Sequence, residues 1–331
     1  MAVLVTGGAG YIGSHTVLSA LERGEKVVVL DNLSTGQHWL VPPTAKFVHG
    51  DAGDSALVAQ IIRDEAIDAV LHFAGSIVVP ESVQDPLSYY LNNTAVSRTL
   101  IQTCVTSGVR RFVFSSTAAV YGDPGVQAVK EEAPKAPMSP YGRSKLMTEW
   151  MLEDVSRATD LRFVALRYFN VAGADPMGRT GQVARAPTHL IKRACQVALG
   201  VIPCLEIFGT DYPTPDGTAI RDFIHVDDLV AAHLLAVDHL RRDGSSMICN
   251  VGYGQGFSVH QVVRAVEAVA GARLPIRLAA RRAGDPAQLI ADNERIISEM
   301  GWVPRRNDLR AIVRSAYDWE KRLLSDQALA G

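Results

Sequence analysis

The stretch Ala2-Val-Leu-Val-Thr6-Gly7-Gly8-Ala9-Gly10-Tyr11-Ile12-Gly13 decides the fold. Its first five residues form a continuously apolar run, the pattern of a strand buried on both faces of a parallel sheet. Glycines at 8, 10 and 13 fit G-x-G-x-x-G, and glycines at 7, 10 and 13 fit the related G-x-x-G-x-x-G. Both spacings give a tight turn, a close backbone approach to a pyrophosphate, and a helix N-terminus aimed at it. An apolar-periodic helix follows to about Arg23. A glycine-rich turn alone is weak evidence, but here a strand precedes it and a helix follows.

Outward from that unit the pattern repeats. The strand Lys26-Val-Val-Val-Leu30 ends at Asp31, where a carboxylate accepts ribose hydroxyls and repels a 2′-phosphate, favouring NAD over NADP. The alternative is a cap for the turn that begins at Asn32. A third strand, 46–50, exits at Asp51, suited to an adenine amino group. A fourth, beginning at Asp68, ends in the small residues Ala74 and Gly75 at the edge where open α/β sheets bind ligands. His72 inside that strand reads as a packed core histidine. Further strands follow at Arg111–Phe114 and Arg162–Leu166. Six strands alternating with helices predict an α/β fold with a doubly wound, Rossmann-like parallel sheet over residues 1–170.

Two further signals point into the same crevice. The hydroxyl run Ser115-Ser116-Thr117 stands at the carboxyl end of a strand. Tyr141 and Lys145 are four residues apart and share one face if the segment is helical. Ser139 and Pro140 supply the cap and first turn of that helix. A Tyr and a Lys at this spacing also occur by accident on amphipathic helices, so the pair gains weight only from the crevice around it.

From about Val171 the pattern loosens, predicting a smaller mixed α/β lobe over 171–331, with later segments free to return to the first domain. Arg221, Arg282 and Asp285 lie there, either as a grip on a diphosphate or as a structural ion-pair cluster. The composition, with 47% hydrophobic residues and a net charge of −2, gives no single-sign field for nucleic acid or an anionic membrane. The four cysteines form no metal-binding spacing. A strand beginning at Ala2 leaves no room for a signal peptide, and no apolar run approaches the roughly 18 residues of a membrane span. These features predict a cytoplasmic protein without metal.

The chain resembles the extended short-chain dehydrogenase/reductases, and more closely the UDP-glucose 4-epimerases, over nearly its whole length. The matching segments include Thr6–His15, Asp31–Leu33, His72–Gly75, Pro86–Tyr90 with Asn92, Tyr141-Gly-x-Ser-Lys145, Leu166–Asn170, Ile207–Pro213 and Ile220–Val226. The resemblance implies a tightly held NAD contacted by Gly7, Gly10, Tyr11, Ile12, Gly13, Asp31, Asn32, Asp51, Ala52, Phe73, Ala74, Gly75, Asn92, Thr117, Tyr141, Lys145 and Phe169. It implies a UDP-sugar held by Thr117, Tyr141, Asn170, His189, Leu190, Phe208, Arg221, Arg282, Asp285 and Leu289. It further implies that Tyr141, as phenolate, takes the 4-hydroxyl proton, with Thr117 relaying and Lys145 and the oxidised nicotinamide as stabilising cations. Lowering a phenol from about 10 to about 7 requires roughly 4 kcal/mol of preference for the phenolate. A homodimer through helices at about 86–107 and 140–158 is expected by the same resemblance.

Departures bear on substrate choice. Ile77 stands where many family members have Lys, His189 where Asn is common, and Glu206 where a small residue lies beside the uridine. Leu289, on the sugar's C2 side, is intermediate between the larger and smaller residues of the family. UDP-glucose/UDP-galactose interconversion is the leading expectation, and 4-epimerisation of UDP-N-acetylhexosamines or UDP-pentoses is its alternative. Ala118-Ala119 lacks the acidic residues of a 4,6-dehydratase or a decarboxylase. A non-catalytic NAD sensor is the rival of another class, disfavoured by an intact Thr117/Tyr141/Lys145 set.

Overall fold

The computed structural model describes residues 1–125, 128–183, 188–282 and 285–330, the last four as helical backbone. The first half alternates as the sequence predicts: β1 (Ala2–Thr6), α1 (Tyr11–Glu22), β2 (Lys26–Asp31), β3 (Lys46–His49), α2 (Ser55–Glu65), β4 (Ile67–His72), α3 (Val79–Gln84), α4 (Pro86–Tyr89), α5 (Val96–Thr106), β5 (Arg111–Ser115), α6 (Pro140–Ala158) and β6 (Arg162–Tyr168). A π-helical stretch, Tyr90–Ala95, joins α4 to α5. The second half contains β7 (Asn170–Ala172), α7 (Leu190–Ala198), β8 (Leu205–Phe208), β9 (Ile220–His225), α8 (Val226–Arg241), β10 (Met247–Val251), β11 (Gly256–Ser258), α9 (Val259–Ala270), β12 (Ile276–Ala279), β13 (Gln288–Leu289), α10 (Glu294–Met300) and α11 (Leu309–Ala330).

Seven strands make one parallel sheet in the order β10-β6-β5-β4-β1-β2-β3. Sequence reasoning expects six strands here; the seventh, β10, arrives from the irregular half and pairs with β6 from Met247↔Val164 to Val251↔Tyr168. After β6 the chain leaves for the second lobe, and α8 carries it back. Alternate residues of each strand serve opposite faces. Val3, Val5, Val29, Leu71 and Val113 share one buried cluster with residues of α8. Leu4, Val28, Val70, Phe112 and Phe114 share another with residues of α2, α5 and α6. Truncating a ring such as Phe112 to alanine would cost about 3–5 kcal/mol.

Strand order reverses between β1 and β4, and the crevice of a doubly wound sheet lies outside the carboxyl ends at that point. Over it sits a lobe built from a four-stranded sheet of β7, β9, β11 and β13 and a parallel pair, β8 with β12. Buried residues of α7, α9 and α11 form its core with Leu205, Ile207 and Phe223. Among the described residues no helix is long and apolar enough to cross a membrane.

Candidate active site

One cleft of about 1620 Å³ runs along the carboxyl edge of the sheet and under the second lobe. At one end the backbone is the wall. Gly7 has φ of +72°, and a Cβ there would stand 2.6 Å from the Ala74 amide. A Cβ on Gly13 would lie 2.1 Å from the Gly7 carbonyl oxygen, so only glycine lets α1 pack so close to the loop. Gly10 caps α1 without a side-chain hydrogen bond, and Gly10, Tyr11, Ile12 and Gly13 line the cleft. This cradle fits a dinucleotide diphosphate: it offers a helix N-terminus to negative charge and space no side chain fills.

Asp31 is nearly buried and accepts from Ala9 N at 2.9 Å and Leu33 N at 2.8 Å. It therefore anchors the glycine loop and the following turn while lining the cleft. Asn32 Nδ2 donates to Asp51 Oδ2 at 3.1 Å, and Ala52 continues the same wall. Phe73 N and Ala74 N both donate to the Thr6 carbonyl. Gly75 has φ of +155°, and a Cβ there would meet Asn93 Oδ1 at 2.8 Å. Asn93, held in the π-helical stretch, accepts from Ser76 N and donates to Ser144 Oγ at 3.0 Å, which ties the strand end to α6. Asn92 Nδ2 bonds Ser76 Oγ at 2.8 Å. His72 is a core residue, held between Thr6 Oγ1 at 2.7 Å and Ser97 Oγ at 2.8 Å, and burial pushes its imidazole down to about 3.

Midway along the cleft stand Thr117 and Tyr141. Ser139 caps α6 by accepting from Gly142 N, Pro140 occupies its first turn, and Tyr141 follows, almost fully buried. Both residues line the cleft, and the Thr117 hydroxyl accepts from Ala119 N at 3.1 Å. Burial pushes the Tyr141 phenol well above its ordinary value, Tyr168 adds to this, and Thr117 pulls it back. Lys145 Nζ donates to the Ser115 carbonyl at 3.0 Å and lies 4.9 Å from the Phe114 ring centroid. Burial pushes Lys145 down to about 8. Burial is the largest influence on both groups, and the hydrogen bond of Lys145 is directed at the backbone.

At the far end, side chains form the wall. Arg221 pairs with Asp285 and donates to the carbonyls of Ile220 and Pro286, both at 2.7 Å. The Arg282 guanidinium lies 3.7 Å from the Phe208 ring centroid, and burial lowers its pKa. Asp285 thus partners Arg221 rather than Arg282. Asp222 instead accepts from Tyr253, Gly254 and Ala291 amides as a buried structural carboxylate. His189 Nδ1 accepts from Gln182 Nε2 at 2.7 Å, which puts the ring proton on Nε2. Asn170, Phe169, Leu190 and Leu289 line the same space.

The model of the NAD dependent epimerase/dehydratase family matches residues 3–252. The chain belongs to this family. It is 56% identical over 329 residues to a UDP-glucose 4-epimerase of Azospirillum brasilense, covering 99% of this chain and 94% of that one. The crystal structure of UDP-glucose 4-epimerase from Brucella ovis in complex with NAD matches with a TM-score of 0.93 at 44% identity, over 96% of this chain and 97% of that one. The UDP-glucose-4-epimerase from Stenotrophomonas maltophila with bound NAD and formylated UDP-arabinopyranose matches with a TM-score of 0.96 at 40% identity, over 98% and 99%.

Within this NAD dependent epimerase/dehydratase fold, every residue expected from the resemblance to contact NAD or the UDP-sugar lines the cleft except Lys145, which is buried. Of the departures, Ile77 is half-exposed at the cleft mouth, and Glu206 is paired with Arg277 at 2.5 Å. Sequence reasoning missed Tyr168, which lines the cleft and accepts from Ser115 Oγ at 2.9 Å. Lys192 also lines the cleft, but it is buried against Glu320 of α11 and donates to the Gln182 carbonyl at 2.8 Å. A pairing across 128 residues leaves no local signal.

Proposed function

We propose that the chain interconverts UDP-glucose and UDP-galactose by transient oxidation at sugar C4 with bound NAD. The observation that carries this reading is one continuous cleft lined by the glycine cradle at one end, Arg221 and Arg282 at the other, and Thr117 and Tyr141 between. Bound NAD supplies the acceptor and donor for hydride at C4. The chain's own residues do the rest. Gly7, Gly10 and Gly13 admit the cofactor diphosphate, and Asp31 accepts from the adenosine ribose. Arg221 and Arg282 hold the UDP diphosphate by charge-assisted hydrogen bonds. Tyr141 Oη takes the proton from the sugar 4-hydroxyl through or beside Thr117 Oγ1, then returns it to O4 of the epimer. Such positioned proton transfer contributes about 10²–10⁴-fold. Residues 1–170, joined by β10, form the NAD domain in this reading, and the rest of 171–331 mainly holds the UDP-sugar.

Leu289, intermediate in size, keeps a UDP-pentose or UDP-N-acetylhexosamine as the second reading. Incubation with UDP-galactose, UDP-N-acetylgalactosamine and UDP-arabinose separately, with the products resolved, decides between them. UDP-glucose formed fastest is the expected result, and no 4-epimer from any of the three would refute the assignment. We also propose a cytoplasmic homodimer. Leu87 and Leu91 on the helix spanning 86–106, and Trp150 on the neighbouring α6, are exposed apolar side chains on the two helices expected to pair. Light scattering at twice the 35.7 kDa chain mass is the expected outcome.

A further inference from the structure

Past Gly75 the chain runs along the cleft as residues 76–78, outside any strand, between the end of β4 and the start of α3. Its backbone groups are met by side chains of the helical stretch that follows. Tyr89, Asn92 and Asn93 stand at i, i+3 and i+4, the spacing of one helical face. Asn93 Oδ1 accepts from Ser76 N at 2.7 Å, and its Nδ2 donates to the Ser76 carbonyl at 2.9 Å. The Tyr89 hydroxyl accepts from Val78 N at 2.9 Å and has one proton for the Val78 carbonyl at 2.8 Å or Glu81 Oε2 at 2.9 Å. Val78 is extended, with φ of −87° and ψ of 104°. The N–H and C=O of two alternate residues are thus taken by a helix face as a neighbouring strand would take them. Asn93 holds one end of the segment, and Tyr89, with 1% exposure, holds the other.

We propose that Tyr89 is a positioning residue that, by latching the Val78 peptide, fixes residues 76–78 as the wall of the cleft beside the reacting sugar. This rests on the reading of the cleft as the place where sugar C4 is oxidised. A Cβ on Gly75 would lie 3.6 Å from Lys145 Nζ, so the segment starts beside the helix that carries Tyr141. Val78, three residues on, is at most about 11 Å from Gly75. Ser76, Ile77 and Val78 all line the cleft, and α3 and α4 both pack on α6. The glycine cradle and the two arginines hold the diphosphates at the two ends, and Tyr89 bonds to neither. What the latch governs is alignment between those ends, where a small misplacement costs rate more than affinity. In Tyr89→Phe the ring remains, and the Val78 amide and carbonyl lose their partner.

The test reads Tyr89→Phe by amide hydrogen exchange and by steady-state kinetics of the NAD-loaded protein with UDP-galactose. Exchange in the peptide spanning 75–80 is expected to quicken by roughly fivefold, the equivalent of about 1 kcal/mol for one net hydrogen bond. The glycine loop at 7–13 is expected to exchange as before. kcat is expected to fall by a similar factor, roughly fivefold, while KM and retained NAD stay within about twofold. Val58→Ala, a fully buried truncation on α2 outside the cleft, controls for lost stability and is expected to melt lower with kcat unchanged. Unaltered exchange at 75–80, unaltered kcat, or an equal loss of kcat in Val58→Ala would overturn the proposal. Should Tyr89→Phe fail to fold, the wild-type protein decides: slow exchange of both the Ser76 and Val78 amides supports the latch, and fast exchange of either overturns it. A wild-type protein with those amides protected but without epimerisation would instead sink the underlying assignment of the reaction, so the two failures are distinguishable.

Discussion

The two ends of the cleft are built on different principles. At the cofactor end the wall is backbone: Gly7 and Gly13 are required because a Cβ at either would collide with main-chain atoms, and the whole device lies within twelve residues of sequence. At the nucleotide end the wall is side chains gathered from afar, with Arg221 reaching Asp285 across 64 positions. A backbone-built site tolerates almost no substitution at its glycines but needs no distant partner. A site built from side chains depends on the lobe that assembles them. The two therefore break separately, and Tyr141 stands where they meet.

The largest effect is expected at that meeting point. Tyr141→Phe should retain NAD and UDP and lose turnover by about 10²–10⁴-fold; near wild-type kcat would remove the phenol from the proposed proton path. Next, Gly13→Ala should abolish NAD retention on gel filtration, because its Cβ would sit 2.1 Å from the Gly7 carbonyl oxygen. UDP affinity by calorimetry should stay within about twofold if the two ends are independent. The converse break is Arg221→Leu, which removes a charge-assisted grip worth about 1.5–3 kcal/mol. It should raise KM for the UDP-sugar by roughly 10-fold or more while the absorbance of retained NAD is unchanged. The smallest effect is expected for Asp31→Ala. Its carboxylate bonds Ala9 N and Leu33 N as well as lining the cleft, so the variant should lose preference for NAD over NADP and also melt lower. Unchanged discrimination with a lowered Tm would leave Asp31 as a loop anchor alone.

The same contrast explains what was legible in the sequence. Six strands of the sheet and the glycine loop could be read because periodicity and turn chemistry are local. β10 could not, since Met247–Val251 looks like any short apolar run until α8 returns it to the edge of β6. Tyr141 and Lys145 were visible as a helical pair, but the direction of Lys145 towards the Ser115 carbonyl was not. Glu149 was hidden for a related reason: an acidic residue on a helix reads as solvated, and only the fold reveals that Ser116 and Arg167 close over it. The pairing of Lys192 was hidden as well, because its counter-charge, Glu320, belongs to the last helix.

The central claim is that C4 of the sugar is oxidised and reduced within one closed site, with Tyr141 handling only the proton. Conversion of UDP-galactose carrying deuterium at C4 tests it most directly, with the UDP-glucose product read by mass spectrometry. The account predicts that the deuterium stays on C4 in unlabelled water, because the same atom is returned to the same carbon. Product carrying solvent hydrogen at C4 would contradict it.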